Sequence, residues 1–345
     1  MPFGPSGILP YIPPHIEFLH AWGKKGSGAG EFYSPRGVAV DSLDNVYVAD
    51  FENQRVQKFD GSGKYITEIS GVGFPNDVAV DFSGNVYVVI DGDLILKFDN
   101  SLTPVSNFGS HGTGDYQFKT PTGVAVDPLG KYVYVADNGN NRILKFASSL
   151  LDPGSYLTQW GATPPAYKAG SGDGQLFGPS KVAVDILGNV YVVDSGNNRV
   201  QKFDSSGNYV TQWGSFGSGD GQFDSPAGIC VYPMIVMPLA SGGVGPFSPL
   251  PTSPPSSLID YVIVTDFNNN RVQMFCIDAI AGTSQYLTQW GSSGSLHSQF
   301  KQPYGVATFP GFTGSYQYVA DQENNRVQKF TTILYHPAAL GPWYF

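Results

Sequence analysis

Apolar residues cluster into short runs that return in a fixed order along the chain. The first run recurs as GVAVD at 37–41, DVAVD at 77–81, GVAVD at 123–127, KVAVD at 181–185, GICVY at 228–232 and GVATF at 305–309. The second follows it as VYVAD at 46–50, VYVVI at 86–90, VYVAD at 133–137, VYVVD at 190–194, VIVTD at 262–266 and QYVAD at 317–321. The third is RVQKF or a close variant, ending at Phe59, Phe98, Phe146, Phe203, Phe275 and Phe330. The fourth is YLTQWG at 156–161 and 286–291 and YVTQWG at 209–214, with weaker forms YITEISG at 65–71 and PVSNFG at 104–109. In the first two runs apolar residues fill alternate and intervening positions alike, as in Val46, Tyr47, Val48 and Ala49. A strand buried on one face alternates, whereas one buried on both reads as a continuous apolar run. Each sheet is therefore expected to be covered on both sides.

Between the first and second runs lie SLDN, FSGN or ILGN, short hairpin loops with Gly or Asn where a positive φ is needed. Each unit is predicted to be a four-stranded antiparallel sheet, and six such sheets around one axis make an all-β, six-bladed β-propeller. The fourth run is missing after the sixth unit and is supplied at the start by IEFLHAWG, 16–23. Residues 16–22 are thus expected to form the outer strand of the last blade, joining the two chain ends and closing the ring. A single domain is expected over 1–345, with blades at about 30–71, 72–109, 117–161, 174–214, 221–291 and 298–330. Blade 5 carries an insertion at 233–258, and a tail follows at 331–345.

The loop between the second and third strands repeats its polar residues at fixed spacing: Asp50 and Arg55, Asp137 and Arg142, Asp194 and Arg199, Asp266 and Arg271, Asp321 and Arg326. A ligand needs one site, whereas a ring of identical turns needs the same solution each time. Asp and Asn accept hydrogen bonds from turn amides, and an Arg fork pairs with a carboxylate. These ten residues are therefore expected to be structural. Trp22, Trp160, Trp213 and Trp290 end the fourth strand and are expected to wedge between blades. The linkers GSGAGEF, GTGDYQF, GSGDGQLF and GSGDGQF look like phosphate loops, but none leads into a helix or ends in Gly-Lys-Ser/Thr.

The pattern P-x-G-V-A-V-D, G-N-V-Y-V-A-D, x-x-N-N-R-V-Q-K-F resembles the NHL repeat over about residues 16–330. The Asn-His-Leu triplet for which that repeat is named does not occur here. The resemblance implies a six-bladed propeller and names no activity, because that architecture hosts many.

Propeller ligands usually sit at the mouth of the central channel, lined by the start of each innermost strand. The two positions before the VAV core are Arg36-Gly37, Asn76-Asp77, Thr122-Gly123, Ser180-Lys181, Ala227-Gly228 and Tyr304-Gly305. Blade 2 replaces the glycine with Asp77 and blade 4 replaces it with Lys181. Blade 2 also loses the D-x-x-N-x-R loop and shows Asp91 and Asp93 instead. Arg36, Asn76, Asp77, Thr122, Lys181 and Tyr304 are the candidate ligand-binding residues. The alternative is that Asp77 and Lys181 are solvated or paired with each other.

Six-bladed calcium-dependent lactonases use carboxylates and amides at this end, and Asn76 and Asp77 are the adjacent pair of that kind. Calcium takes six to eight oxygens, and the innermost strands offer few acidic partners. Amidating lyases, a related propeller group, use histidines around zinc. Here His15, His20, His111, His297 and His336 show no ligand spacing on an inner strand. No nucleophile elbow is visible either. Two functions are expected from different classes. The first is a rigid, non-catalytic binding or scaffold module for a protein or small polar ligand, with no cofactor; the second is a calcium-dependent hydrolase or lactonase with Asn76 and Asp77 at its centre.

Composition narrows the partners. The 345 residues include 43 Gly, 26 Pro, 20 Tyr and 23 Phe, which suits strands and turns over helices. Net charge is −9, from 19 Lys and Arg against 28 Asp and Glu. Ten of those bases occupy repeated positions, leaving no basic stripe for phosphates, so the chain departs from NHL relatives that bind RNA through basic faces. No run approaches the roughly 18 apolar residues of a membrane helix. Cys230 and Cys276 would lie about 9 to 10 Å apart with a strand between them, too far for a bridge, and are expected to be free. The N-terminal MPFGPSGILPYIPPHIEF lacks the pattern of a signal peptide, while abundant Gly, Ser, Tyr and Asn with few Lys lean towards an extracellular protein. The Pro/Ser/Gly-rich insertion is expected at the channel end opposite Asp77, and the apolar tail against the propeller or a partner.

Overall fold

Apolar runs with no polar face fold stably only when another layer covers each side, and the chain meets this demand by stacking sheets around a ring. The computed structural model describes residues 14–148, 155–162, 167–236, 257–278, 282–310 and 314–333. Among them, strand β1 (His15–Trp22) precedes blade 1, which contains β2 (Pro35–Val40), β3 (Val46–Asp50), β4 (Arg55–Phe59) and β5 (Tyr65–Ser70). Blade 2 contains β6 (Pro75–Val80), β7 (Val86–Ile90), β8 (Leu94–Phe98) and β9 (Pro104–Phe108). Blade 3 contains β10 (Pro121–Val126), β11 (Tyr132–Asp137), β12 (Arg142–Ala147) and β13 (Ser155–Gly161). Blade 4 contains β14 (Pro179–Val184), β15 (Val190–Asp194), β16 (Arg199–Phe203) and β17 (Tyr209–Trp213). Blade 5 contains β18 (Pro226–Val236), β19 (Ser257–Asp266), β20 (Arg271–Asp278) and β21 (Ser284–Trp290). Blade 6 contains β22 (Pro303–Pro310), β23 (Gly314–Asp321) and β24 (Arg326–Ile333).

Six four-stranded antiparallel sheets result, the last in the order β1-β24-β23-β22. The N-terminal strand therefore closes the ring, with Trp22 opposite Val327 and His15 opposite Ile333. In blade 5 the ladder runs past the expected start of the insertion, because Pro233 through Val236 pair with Asp260 through Ser257. The rest of that insertion lies outside the described residues, as does the tail beyond Ile333.

The core consists of the seams between blades. Tyr47, Val56 and Ile69 of blade 1 pack with Val78, Val86, Val88 and Phe98 of blade 2. On the other side, Val38, Val46, Val48 and Phe59 pack with Ala307, Tyr318 and Val327 of blade 6. Each terminal tryptophan crosses a seam to the third strand of the next blade: Trp160 meets Phe203 and Trp213 meets Phe275, both at 5.8 Å, and Trp290 meets Phe330 at 6.0 Å. Trp22 continues the series, 5.8 Å from Phe59.

The repeated Asp and Arg form a joint that holds the linker entering each blade. Arg55 donates through Nε to Asp50 Oδ2 (2.8 Å) and through Nη2 to the carbonyls of Gly28 and Glu31. Asp50 Oδ1 accepts the Tyr33 amide at 2.7 Å. Arg142, Arg199, Arg271 and Arg326 repeat the pattern on Gly114 and Gln117, Gly172 and Gln175, Gly219 and Gln222, and Leu296 and Gln299. The residue before four of these arginines is an asparagine in the left-handed region, and it ties its blade to the next. Asn141, Asn198, Asn270 and Asn325 accept the amides of Gly178, Ser225, Gln302 and Ser34.

Blade 2 lacks the arginine and also lacks the load it carries. Only Gly71–Phe74 separates β5 from β6, so there is no long linker to hold. Asp93 keeps the second half of the joint: at φ 62° it accepts the Thr120 amide of blade 3 at 2.7 Å, while its other oxygen meets His111 Nδ1 at 2.8 Å. Asp93 is therefore part of the frame.

On the outer half of the seams after blades 2, 3, 4 and 6, the lysine of the third strand reaches the following blade, joined after blades 4 and 6 by the tyrosine of the second. Lys145 Nζ donates to Ser205 O and Lys329 Nζ to Gly61 O, both at 2.7 Å. Between blades 4 and 5 the acceptor is Asp260, fully buried, which takes Tyr191 Oη at 2.6 Å and lies 3.8 Å from Lys202 Nζ. Burial, reinforced by nearby Asp185, pushes the Asp260 carboxyl up to about 7 against the pull of the Tyr191 hydroxyl.

Two outcomes follow for stability. Replacing Arg142, fully buried on a buried Asp137, with alanine leaves an unpaired charge and should cost about 3–5 kcal/mol in urea unfolding. Arg326→Ala, whose side chain is 13% exposed, should cost less. Because folded Asp260 holds its proton more tightly than the unfolded chain does, its contribution is complete below pH 4 and declines as pH rises through about 7. Asp260→Asn should flatten the fall in stability between pH 5 and 7, by up to about 1.4 kcal/mol per pH unit, as read from urea midpoints at stepped pH.

Candidate functional site

Each innermost strand begins with a buried proline, a position at a strand start where the missing N–H is tolerated. The register of that strand against its neighbour shifts just after it, as between Pro35 and Val38 or between Pro75 and Asp77. This irregularity places the two residues before each VAV core at the channel rim. The rim is narrow. A Cβ added at Gly37 would fall 2.6 Å from Asp77 Cα, one at Gly228 2.2 Å from Tyr304 O, and one at Gly305 2.4 Å from Arg36 O. Close approach of neighbouring backbones explains the four glycines there.

Asp77 and Lys181 are the exceptions, and they meet. Lys181 Nζ bonds to Asp77 Oδ1 across the channel, with Asp77 fully buried and Lys181 5% exposed. Asp77 Oδ1 also accepts the Val78 amide and Oδ2 the Val124 amide, each at 2.8 Å. Burial raises the Asp77 carboxyl above the ordinary range, opposed first by the charge of Lys181 and then by these hydrogen bonds. The pair forms a neutral plug.

The other candidates divide. Arg36, Asn76 and Tyr304 come together. The Arg36 guanidinium carbon lies 3.3 Å over the Phe51 ring and 5.7 Å from Tyr304, and Nη1 donates to Asn76 Oδ1. Arg36 Nε is buried without a hydrogen-bond partner. Asn76 Nδ2 reaches exposed Asp91 at 3.3 Å and Pro121 O at 3.4 Å. Thr122 stands apart, donating to Pro179 O of blade 4 at 3.2 Å. Phe51 and Asp91 belong to the mouth although neither is on an innermost strand. Phenylalanine at that place is shared with blade 5, whose Phe267 meets Tyr304 at 6.0 Å, whereas blades 3, 4 and 6 carry Asn138, Ser195 and Gln322.

Calcium does not fit Asn76 and Asp77 as they stand. Their outward oxygens already accept from Arg36 and Lys181, so a divalent ion would sit between two cations while needing six to eight oxygens. Among the described residues, no three His, Cys, Asp or Glu side chains are grouped to hold a metal. His111 pairs with Asp93 and His297 stacks on Phe18 at 4.6 Å, so these two rings serve separate blades. Cys230 and Cys276 are both free. No helix among the described residues is long and apolar enough to cross a membrane.

Residues 32–59, 118–146 and 178–203 match the model of the NHL repeat. The rat peptidylglycine α-amidating monooxygenase is 28% identical over 197 residues, covering 53% of this chain and 18% of that protein. The human NHL repeat-containing protein 3 is 26% identical over 210 residues, covering 46% of this chain and 58% of that protein. The aligned parts thus span less than two thirds of these relatives. Among solved structures, the selenomethionine-substituted virginiamycin B lyase from Staphylococcus aureus is similar with a TM-score of 0.53 at 15% identity, covering 92% of this chain and 99% of that one, a likeness of fold.

Lys181→Met strands a buried carboxylate and should cost about 3–5 kcal/mol, whereas adding Asp77→Asn should restore most of the loss because an unpaired ion is no longer buried. Chemical denaturation of the two single variants and the double variant measures the coupling directly.

Proposed function

Because the chain belongs to the NHL-repeat β-propellers, an architecture that fixes no activity by itself, we propose that it is a rigid, non-catalytic binding module for a protein or polar ligand. The observation that carries this reading is the mutual neutralisation at the linker-side mouth. The charges that break the repeat there, Asp77 and Lys181, are engaged with each other and with strand amides. Among the described residues of the mouth, exposed Asp91 meets the Asn76 amide, an arrangement that supports recognition over acid–base or covalent catalysis.

What the mouth offers is recognition. Arg36 presents guanidinium donors between two aromatic rings, with Asn76 and Asp91 alongside, and an arginine framed by aromatic side chains is a common anchor for a protein or polar partner. The second reading, a calcium-dependent hydrolase or a related lyase, draws on the enzymatic names among the similar proteins. It needs a metal at donors now occupied by Arg36 and Lys181.

Thermal unfolding in increasing calcium separates the two. The binding-module reading expects an unchanged midpoint at millimolar calcium. A saturable rise of several degrees, abolished by Asp77→Asn, would reinstate the enzyme, since an ion bound only by the folded state stabilises it by mass action.

A further inference from the structure

The opposite end of the channel, where the first hairpins of blades 1 to 4 turn, has different chemistry. There the innermost strands end in an open cavity of about 440 Å³, within the usual size of small-molecule sites. Its wall is made of Val40, Val80, Val184 and Val231, and Phe82 and Ile186 stand at its rim. Below it the channel continues between the same valines to Lys181, whose bridge to Asp77 stops it.

The rim is more apolar than the fold requires. In the hairpins of blades 1 to 4 an aspartate holds the turn: Asp81 Oδ1 accepts the amides of Ser83 and Asn85, and Asp185 Oδ1 those of Leu187 and Asn189. Those bonds ask nothing of the side chain between, and blade 1 places Ser42 there. Blades 2 and 4 instead place Phe82, 71% exposed, and Ile186, 58% exposed. Leu43, Leu129 and Leu187 are exposed on neighbouring hairpin tips. Apolar side chains gathered on one face and facing a cavity mark a binding surface.

Charge selects the guest. Asp41, Asp81 and Asp185 line the mouth, and no lysine or arginine is among its described lining residues. Each carboxylate is taken up by its own turn, and Asp41 also lies 3.6 Å from Lys58 Nζ, so they offer a guest no hydrogen bond, and the described lining offers an anion no counter-charge. A cation would have to leave water for a wall of valines. From this geometry we infer that the hairpin-side mouth binds an uncharged, apolar small molecule, held by contact with Val40, Val80, Phe82, Val184, Ile186 and Val231.

Two probes sharing an anilinonaphthalene frame test this by fluorescence titration: uncharged N-phenyl-1-naphthylamine and anionic 1-anilinonaphthalene-8-sulfonate. The neutral probe should bind saturably at one site, and the sulfonate about tenfold more weakly or worse. Phe82→Asp and Ile186→Asp, both at exposed positions, should each weaken the neutral probe by about tenfold, a loss of about 1.4 kcal/mol, with thermal midpoints near that of the parent. Leu157→Asp, an exposed position on an outer strand, should leave binding within about twofold, the spread expected of an unrelated surface change. Absence of saturable binding, equal affinity for the sulfonate, insensitivity to both rim substitutions, or an equal loss in Leu157→Asp would each overturn the proposal. The Lys181–Asp77 bridge separates this mouth from Arg36 and Tyr304, so any of these results leaves the reading of the other mouth standing.

Discussion

A sheet that is apolar on both faces has no stable existence alone, and nearly everything else in this molecule answers that constraint. Tyr47, Tyr87, Tyr134, Tyr191 and Tyr318 are almost wholly buried only because a neighbouring blade covers them. Six mutually dependent sheets can be satisfied together in one way, by a closed ring, since any open end would leave an apolar face in water. The seam carries the stability, and the polar residues of the repeat act to keep the seams in register. The Asp–Arg joint fastens the incoming linker, the left-handed Asn fastens the following blade, and in blades 2, 3, 4 and 6 the third-strand lysine fastens the outer half.

This division of labour explains how much of the fold is legible in the sequence. Double-sided burial is written locally, as continuous apolar runs, and repetition multiplies the signal, so blade number, strand order and the closing role of residues 16–22 can be read directly. The structural role of Asp50, Arg55 and their counterparts follows from the same repetition. Candidate sites are harder because they depend on distances across the ring. That Asp77 and Lys181 enter the channel is readable from two lost glycines; that they meet depends on the channel being narrow enough, and glycine backbones packed within contact distance set that width. Arg36 was identifiable by its register, but Phe51, the ring on which it lies, comes from a loop on the second strand. Asp93 looks like a departure from the pattern in sequence, yet its backbone at φ 62° places it where four other blades use Asn. The hairpin-side mouth was hidden for another reason: hydrophobic residues in polar turns carry no periodicity, and only the ring of blades brings Phe82 and Ile186 to one rim.

Several buried charges sit in compensated groups: Asp77 with Lys181 in the channel, Asp260 with Tyr191 and Lys202 in a seam, and each repeated Asp with its Arg, while buried Lys97 and Lys145 donate to backbone carbonyls. An interior so balanced costs little to keep dry and leaves few charges free for chemistry. It divides the channel into two unlike vestibules, one framed by aromatic rings and an arginine, the other by valines.

Closure through β1 also governs how the molecule can come into being. The partner of β1 is β24, nearly the full length of the chain away, so this ladder has the largest sequence separation in the protein. This ladder cannot form until blade 6 is in place, and a contact of such sequence separation is costly in loop-closure entropy and slow to form. Open solenoids grow repeat by repeat, each stable on its neighbour. Here blade 6 is complete only once β1 has joined it, so the ring closes as one cooperative event instead of growing blade by blade.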